Sequence, residues 1–430
     1  MSTTGRRIAD LIIIGGGASG MSCAIAFAKS RRREGKSSDV LILEKNDRVG
    51  KKVLATGNGR CNLGNQDMQV SHFHSRKEDF PKQVLAQVPQ KETLSFLSEI
   101  GIITAAEGNK YFPLSKSSSS VVDAFRFALT EYGIEVILDT EVTEICKDKI
   151  FHVSSQKGVE YAAKRVVIAC GGACAPALGT TGDGYRWLRQ LGHKVYAPKP
   201  SIVQLVTENS VTKALAGLKL EAELTLVSDD MVIAQQFGEV LFAAYGLSGP
   251  AVFQVSGEVS RRVRKGNLTA PMKVSLRLFE EADLLAISEE LSRRRETMAG
   301  RPVDQLLLSI LPGRIASMLL KSALDRPLSV LISSLSDKDI ARIVATMRAW
   351  DFVVLGTQGL ENAQTTIGGA DCEEFAPETM ESLLVPGLYC CGEVIDVDGD
   401  CGGYNLQWAF SSGILAGRSA SEASLREGES

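Results

Sequence analysis

The chain has 430 residues, a length that suggests two or three domains at about 150 residues each. Its 48 Lys and Arg against 51 Asp and Glu leave a formal charge of −3, which argues against nucleic acid as a main partner, because phosphate binding needs a strong basic footprint. Apolar residues at 44% and charged residues at 23% argue against bulk disorder, and a chain this long buries a core without covalent staples.

Arg6-Arg7 ahead of the apolar stretch Ile8 to Ala28 mimics a secretion signal, but Asp10 and Gly15-Gly16-Gly17 interrupt it. No later run reaches the eighteen or so apolar residues of a membrane span. The chain therefore reads as soluble and cytoplasmic, with no membrane partner. Ile8 to Ile14 has the apolar, Ile-rich character of a buried parallel strand. A glycine cluster follows, Met21 to Ser30 has helical spacing up to Arg31-Arg32-Arg33, and Val40 to Leu43 forms a second buried strand that closes on Glu44. Within this β-α-β unit, G-G-G-A-S-G places Gly15, Gly17 and Gly20 in a GxGxxG pattern. Gly15 permits the tight turn, Gly17 lets backbone approach a pyrophosphate, and Gly20 lets helix and strand pack closely. The helix N-terminus offers free amides to phosphates, and Glu44 accepts ribose hydroxyls. The unit predicts dinucleotide binding.

Arg48 to Asn65 is glycine-rich and too irregular for an element, and it offers backbone amides plus Asn58, Arg60 and Asn62 to a polyanionic or polyhydroxylated ligand. Helices are predicted at Lys91 to Ile100 and Ser119 to Tyr132. Strands are predicted at Glu135 to Leu138, Glu141 to Cys146, Phe151 to Ser154 and Arg165 to Cys170, the last ending in Gly171-Gly172. A helix runs from the Gly182-Asp183-Gly184 turn to Leu191. Val203 to Phe242 then alternates as β-strands do, and helical patterns follow at Ser256 to Lys265, Asp283 to Arg295, Arg314 to Leu324 and Lys338 to Arg348. The arginine runs at Arg261-Arg262-Arg264 and Arg293-Arg294-Arg295 read as solvated helix faces. From about Gln364 glycines return: Gly368-Gly369, a strand Gly387 to Cys391 leading into Gly392-Glu393, and Gly402-Gly403-Tyr404-Asn405 opening a last helix, Leu406 to Arg418. The pattern is a nucleotide-binding fold split by an insertion of roughly 160 residues.

These motifs resemble a bacterial flavoprotein family, the BaiN-like or aminoacetone-oxidase-like FAD-binding proteins, which includes 3-dehydro-bile-acid reductases. The resemblance covers nearly the whole chain. It is carried by G-G-G-A-S-G-M (Gly15 to Met21), T-G-N-G-R-C-N (Thr56 to Asn62), Y-F-P (Tyr111 to Pro113), Y-G-L-S-G-P (Tyr245 to Pro250) and G-E-V-I-D-V-D-G-D-C-G-G-Y-N-L-Q-W-A (Gly392 to Ala409). It implies an α/β fold: a discontinuous Rossmann-like FAD-binding domain with an inserted β-barrel-like subdomain and a small helical subdomain. The expected boundaries are 1–195 and 364–430 for the FAD domain, 196–280 and 350–363 for the barrel-like part, and 281–349 for the helices. By the same resemblance, Gly15, Gly17, Ala18, Ser19 and Gly20 cradle the FAD pyrophosphate, Glu44 holds the ribose, and Lys45 lies beside ribose and adenine. Asn58, Gly59, Arg60, Cys61 and Asn62 line the pyrophosphate, ribityl chain and flavin. Val142 offers backbone to the adenine, Gly171 and Gly172 close over the nucleotide, and Gly392 and Glu393 approach the ribityl region. Gly403, Tyr404, Asn405 and Leu406 present a helix N-terminus to the flavin, where amides stabilise negative charge on the reduced ring. The family usually carries Thr-His before Tyr245-Gly246-Leu247, where this chain has Ala243-Ala244, so no role for that histidine is carried over. Pro200 to Leu205 and Thr366 to Ala370 depart from the family pattern more mildly, which puts any difference on the substrate side.

The nine cysteines include no CxxC pair, and with four scattered histidines they show no zinc spacing. Cys61, Cys170, Cys174, Cys390 and Cys391 read as packed thiols. Asp396, Asp398 and Asp400 have metal-loop spacing without the bidentate Glu that calcium needs, so no metal is expected. Tyr111 and Tyr245 are the candidate catalytic proton donors. No second GxGxxG unit is found, so NAD(P)H, if it is the electron donor, docks transiently. The sequence thus predicts an FAD-dependent, NAD(P)H-linked oxidoreductase, a reductase rather than an oxidase. It would move a hydride between flavin N5 and a small or steroid-like molecule. The alternatives are a flavin-binding redox sensor or accessory protein without turnover, and an RNA-modifying flavoprotein, which the near-neutral charge disfavours.

Overall fold

In the computed structural model the structure describes residues 8–428; Arg6 and Arg7 lie outside the described residues. The chain forms two compact units, Met1–Lys199 with Ala363–Ser430, and Pro200–Asn362 between them. Each has its own apolar core.

The first unit is built on a seven-stranded sheet. Strand β1 (Ile8–Ile14) lies at its centre, parallel to β2 (Val40–Leu43) on one side and to Glu160–Ile168 on the other. Glu135–Ile137 extends the sheet beyond β2, and Leu388–Cys390 from the far end of the chain pairs with Val166 to Ile168. Both faces are covered, so these strands carry continuous apolar runs: every residue of β2 is buried. The strand expected at Arg165 begins earlier, at Glu160, because Tyr161 to Ala163 pair antiparallel with Phe151–Ser155.

Helix α1 (Ala18–Arg33) follows β1 and packs against the C-terminal helix Tyr404–Gly428. The two backbones approach closely because Gly413 and Gly417, one turn apart, face Ser19 and Cys23: a methyl added at either glycine would run into the carbonyl oxygen of its neighbour. Substituting Gly413→Val is expected to cost about 3 kcal/mol, since overpacked cores lose about 1–3 kcal/mol and here the obstacle is backbone. Thermal unfolding of the purified variant, beside Gly413→Ala as the milder case, measures this.

The loop expected from Arg48 to Asn65 contains more order than its composition suggested. It holds a short helix α2 (Lys51–Leu54), a tight turn Thr56–Gly59, and a two-residue strand Gly64–Asn65. Gly57, Asn58 and Cys61 adopt left-handed backbone there (φ 56°, 54° and 59°), the conformation that breaks hydrophobic periodicity. Two further elements were not anticipated: the helix Asp79–Gln87 and the hairpin Thr104–Glu107/Lys110–Pro113.

The second unit contains a closed antiparallel barrel of six strands, Leu205–Thr207, Gly246–Ser248, Met231–Ala243, Lys219–Ser228, Met272–Arg277 and Trp350–Thr357. Lys219–Ser228 alternates strictly from Ala222 onward between buried and half-exposed positions, as a barrel wall requires. A short helix, Asn209–Ala214, interrupts the β pattern expected from Val203 to Phe242. The helix expected at Ser256 starts earlier, at Pro250, where proline at the first helical position presets φ and ends the Tyr245 to Pro250 motif. Helices Glu281–Thr297, Gly313–Ala323 and Asp337–Arg348 complete the unit, the last with a capping box from Ser336 and Asp339. Among the described residues no helix is long and apolar enough to cross a membrane.

Candidate functional site

The C-terminal ends of β1 and β2 open onto the glycine turn. Gly15 has φ +108°, and a side chain there would strike the backbone of Ala169 and Cys170. A methyl on Gly20 would run into the Gly15 carbonyl oxygen, so these two glycines serve the close approach of turn, helix and strand. Gly17 differs: a Cβ there would meet no heavy atom within 4 Å. Gly17 also caps α1 with no side-chain hydrogen bond, and the first turn, Ala18 to Gly20, carries no acidic residue. The free amides and the positive end of the helix therefore face open space.

Glu44 is buried (7% exposed) at the end of β2. One carboxylate oxygen accepts from the Gly16 amide at 2.8 Å, the other from the amide and the carboxamide of Asn46 at 2.8 and 2.7 Å. A carboxylate offers about four lone-pair sites, so acceptor capacity remains for a ribose. Asp139 and Thr140 donate backbone bonds to the carbonyls of Asn46 and Glu44, which brings the turn before Val142 to the same place. Lys45 is drawn instead to Asp183 (2.8 Å) and the Thr181 hydroxyl.

A second group of loops converges on Glu393. Its carboxylate accepts from Lys52 of α2 at 2.8 Å and from the Thr366 amide at 2.6 Å. Lys52 also donates to the Cys174 sulfur at 3.0 Å, and the Thr366 hydroxyl accepts from the amides of Ala173 and Cys174. Gly171 (φ +76°) and Gly172 lead into this turn, and a side chain at Gly172 would collide with Thr366 and Glu393. Burial pushes the Glu393 carboxyl up, but Lys52 outweighs it and holds the group below the ordinary range. Gly392 is fixed from both sides by the C-terminal helix: Ser412 Oγ accepts from its amide at 2.9 Å and Trp408 Nε1 donates to its carbonyl at 3.1 Å. Lys52, Cys174, Thr366, Trp408 and Ser412 were not among the expected site residues. Of these, only the i,i+4 pair Trp408/Ser412 left a local signal, a polar contact repeated on one helix face.

The third group surrounds the start of the C-terminal helix. Gly403 has φ +100°, and a side chain there would meet the Gly64 carbonyl at 2.6 Å and Asn62 Oδ1 at 2.7 Å. Asn62 Oδ1 is itself buried without a hydrogen-bond partner, the kind of orphan that a ligand donor satisfies. The helix begins at Tyr404, two residues before the expected start at Leu406, and the Asn405 side chain folds back onto Gly399 and the Asp400 carbonyl. Asn58 and Gly59 lie in the Thr56–Gly59 turn. Arg60 leaves that turn to pair with Glu107 at 2.6 Å and to lie over the Phe112 ring at 4.3 Å. Arg60 and Lys116 together hold Glu107 down to about 2. Cys61 is fully buried, and burial pushes its thiol up to about 11, so it is no thiolate at neutral pH.

Tyr111 sits half-buried on the hairpin strand opposite Gly64, and its carbonyl accepts from the Leu63 amide. Tyr245 belongs to the barrel unit and is 37% exposed. Asp396 pairs with Arg76 at 2.7 Å, and Asp400 is held between His72 and His74. Among the described residues no group of three or more His, Cys, Asp or Glu is arranged to hold a metal ion. The open space at Gly17, the uncapped α1 N-terminus beside Glu44 and the orphaned Asn62 oxygen together fit a dinucleotide such as FAD.

The family model for the HI0933-like protein Rossmann domain matches residues 9–419. The chain is 34% identical over 410 residues to the 3-dehydro-bile acid delta(4,6)-reductase of Clostridium scindens, which spans 95% of this chain and 98% of that protein. It is 29% identical over 425 residues to the ribosomal RNA dihydrouridine synthase of Haemophilus influenzae, covering 96% and 99%. The Escherichia coli protein of that name is 30% identical over 406 residues, covering 94% and 96%.

Proposed function

The chain belongs to the HI0933-like Rossmann-domain family, and from that premise we propose that it is an FAD-dependent oxidoreductase that reduces a carbon–carbon double bond conjugated with a carbonyl in a small or steroid-like molecule. The activities named for the relatives support the reaction class, since both saturate a double bond next to a carbonyl. The observation that carries the cofactor assignment is the space at Gly17, open above an uncapped helix N-terminus and flanked by Glu44.

In this reading Gly15, Gly17, Ala18, Ser19 and Gly20 would hold the pyrophosphate, Glu44 the ribose, and the Gly392–Glu393 and Gly403–Tyr404 turns the ribityl and flavin end. Bound FAD supplies the hydride chemistry, with NAD(P)H as the transient source of electrons. The chain's own residues do the rest. The amides at the start of the C-terminal helix would offer partial positive charge to the flavin end of the bound cofactor. Tyr111 or Tyr245 delivers the proton to the carbon α to the carbonyl. The formal charge of −3 supports a small-molecule substrate over RNA.

Reconstituting the full chain with FAD and following NADH and NADPH oxidation tests this, with a conjugated 3-oxo steroid in one arm and uridine-containing ribosomal RNA in another. Turnover with the enone supports the proposal. Turnover with RNA alone reassigns the substrate, and no flavin reduction by any nicotinamide or enone overturns it. Tyr111→Phe and Tyr245→Phe separate the donors: the true one is expected to lose about 10²–10⁴-fold in kcat.

A further inference from the structure

The turn that opens the C-terminal helix is strapped to the segment preceding the helix Asp79–Gln87. Phe73–His74 pairs antiparallel with Asp398–Gly399, and the Asp400 amide donates to the His72 carbonyl at 2.9 Å. The side chains repeat the connection. Asp400 Oδ2 lies 2.8 Å from His72 Nδ1, and Asp400 Oδ1 lies 2.7 Å from His74 Nε2. The other ring nitrogen of His72 faces Asp67 Oδ2 at 3.2 Å. A carboxylate only accepts, so an imidazole with a carboxylate at each nitrogen satisfies both only as the doubly protonated imidazolium. The His72 ring is stacked on Tyr404, with centroids 4.5 Å apart and planes 20° apart, and Phe73 closes on Tyr404 edge-on at 5.7 Å. A cation on an aromatic face is attractive. Tyr404 is the first residue of the helix and the neighbour of Gly403.

We propose that His72 is a positioning residue for the cofactor-facing turn Gly402–Asn405: as an imidazolium bridging Asp67 and Asp400 it presses on the Tyr404 ring and fixes the start of the C-terminal helix. This rests on the FAD reading above. The titratable groups facing His72 are Asp67 on its own segment, Asp400 and Tyr404 from the C-terminal segment, and His74 across Asp400. Their balance sets the pH dependence. Burial opposes the charge on His72, but Asp400 and Asp67 outweigh it and hold its affinity for the proton above the ordinary histidine value. Burial likewise pushes Asp400 up, but His74 and His72 hold it below the ordinary carboxylate range, so it stays charged. Burial pushes the Tyr404 hydroxyl up to about 12, so it stays neutral throughout. A group whose folded-state pKa is raised contributes stability fully below its unfolded value, about 6.5 for histidine, and loses that contribution as pH rises through the folded value. The turn is therefore held below the ordinary histidine value and released as pH rises through the raised folded-state value.

The experiment measures FAD affinity by flavin fluorescence between about pH 5.5 and 9.5 on the reconstituted full chain, wild type beside His72→Gln and Asp67→Asn, with thermal unfolding of each apo protein in parallel. Wild-type affinity is expected to fall about tenfold through a single-proton transition as pH rises through the folded-state value of His72, above the ordinary histidine value. His72→Gln should hold the weak value at every pH. Asp67→Asn should keep the acidic plateau and move the midpoint down by about half to one pH unit, because one of the two carboxylates favouring the cation is gone. A His72→Gln profile that overlays the wild type, or an Asp67→Asn midpoint that does not move, overturns the proposal. No FAD uptake by the wild type overturns it through its premise. The apo series tells these failures apart: an alkaline loss of Tm that His72→Gln abolishes shows the strap intact and the cofactor reading at fault.

Discussion

Gly17→Ala is expected to fold as well as the wild type and to lose at least 100-fold in FAD affinity. The two halves of this expectation have separate causes. Gly17 has φ −81° and ψ −172°, a conformation open to any residue, and its added methyl meets no protein atom within 4 Å. Alanine is a poorer N-cap than glycine, a loss of about 0.5–1 kcal/mol, and it recovers about 0.4–1 kcal/mol by restricting the unfolded chain. Apo Tm should therefore stay within about 2 °C. On the proposed FAD reading, the methyl occupies the open space at the α1 N-terminus that the pyrophosphate would enter. A 100-fold loss corresponds to about 2.7 kcal/mol. Gly20→Ala is the contrasting control, because its methyl runs into the Gly15 carbonyl and damages the fold with or without cofactor. Fluorescence titration with FAD and thermal unfolding of both variants decide the matter; Gly17→Ala binding FAD like the wild type would falsify the cradle.

Lys52→Met should cost about 2–4 kcal/mol and invert the local pH dependence. Lys52 and Glu393 are 25% and 17% exposed and 2.8 Å apart. Breaking a buried pair leaves a charge without its partner, at about 3–5 kcal/mol when burial is complete and somewhat less here, where solvent still screens. In the wild type the Glu393 carboxyl is held low, so its contribution is present above the ordinary carboxylate value and lost only as pH falls through the folded value. Without Lys52 burial governs, the carboxyl rises, and stability is instead lost as pH rises. The Tm deficit against wild type should thus be smaller at pH 5 than at pH 8. Adding Glu393→Gln should recover part of it by removing the stranded charge. An equal deficit at both pH values, or a double variant worse than the single, would show that Lys52 acts by packing alone.

The β-α-β unit was legible because period and punctuation agree there: a strand buried from Leu11 to Ile14, three glycines with distinct tasks, a helix, and an acid at the end of the next strand. The strands of the second unit were legible through alternation, as in Lys219–Ser228, while their closure into a barrel was implied only by the family resemblance. The polar architecture of the site was not legible. Lys52 meets Glu393 across 341 residues of sequence and His72 meets Asp400 across 328, and no local period encodes such partners. Lys52 sits in a four-residue helix too short to show a face, so its pairing went unread within a loop expected to meet a ligand. Arg60 shows the converse. Its setting among glycines suggested an anion, but the hairpin that supplies Glu107 is built of short strands whose pairing sequence patterns do not reveal. Glycine spacing located the loops that could surround a ligand, and long-range charge pairing, visible only in three dimensions, set how those loops are braced.

The contact of Gly413 and Gly417 with α1 bears on the order in which the molecule is assembled. The nucleotide-binding unit closes only when the helix Tyr404–Gly428 reaches α1 and Leu388–Cys390 reaches the sheet, so its decisive contacts join the two ends of the chain. Such distant contacts carry a loop-closure cost before they repay it, and they form slowly. The unit Pro200–Asn362 is continuous in sequence and has its own core, so it can fold while the ribosome is still adding the last segment. Until then the β1–α1–β2 segment has its glycine turn but not the helix that covers α1. The nascent chain would keep that apolar helix face uncovered until Tyr404–Gly428 is made, and the turn at Gly403 would reach Gly64 and Asn62 only then.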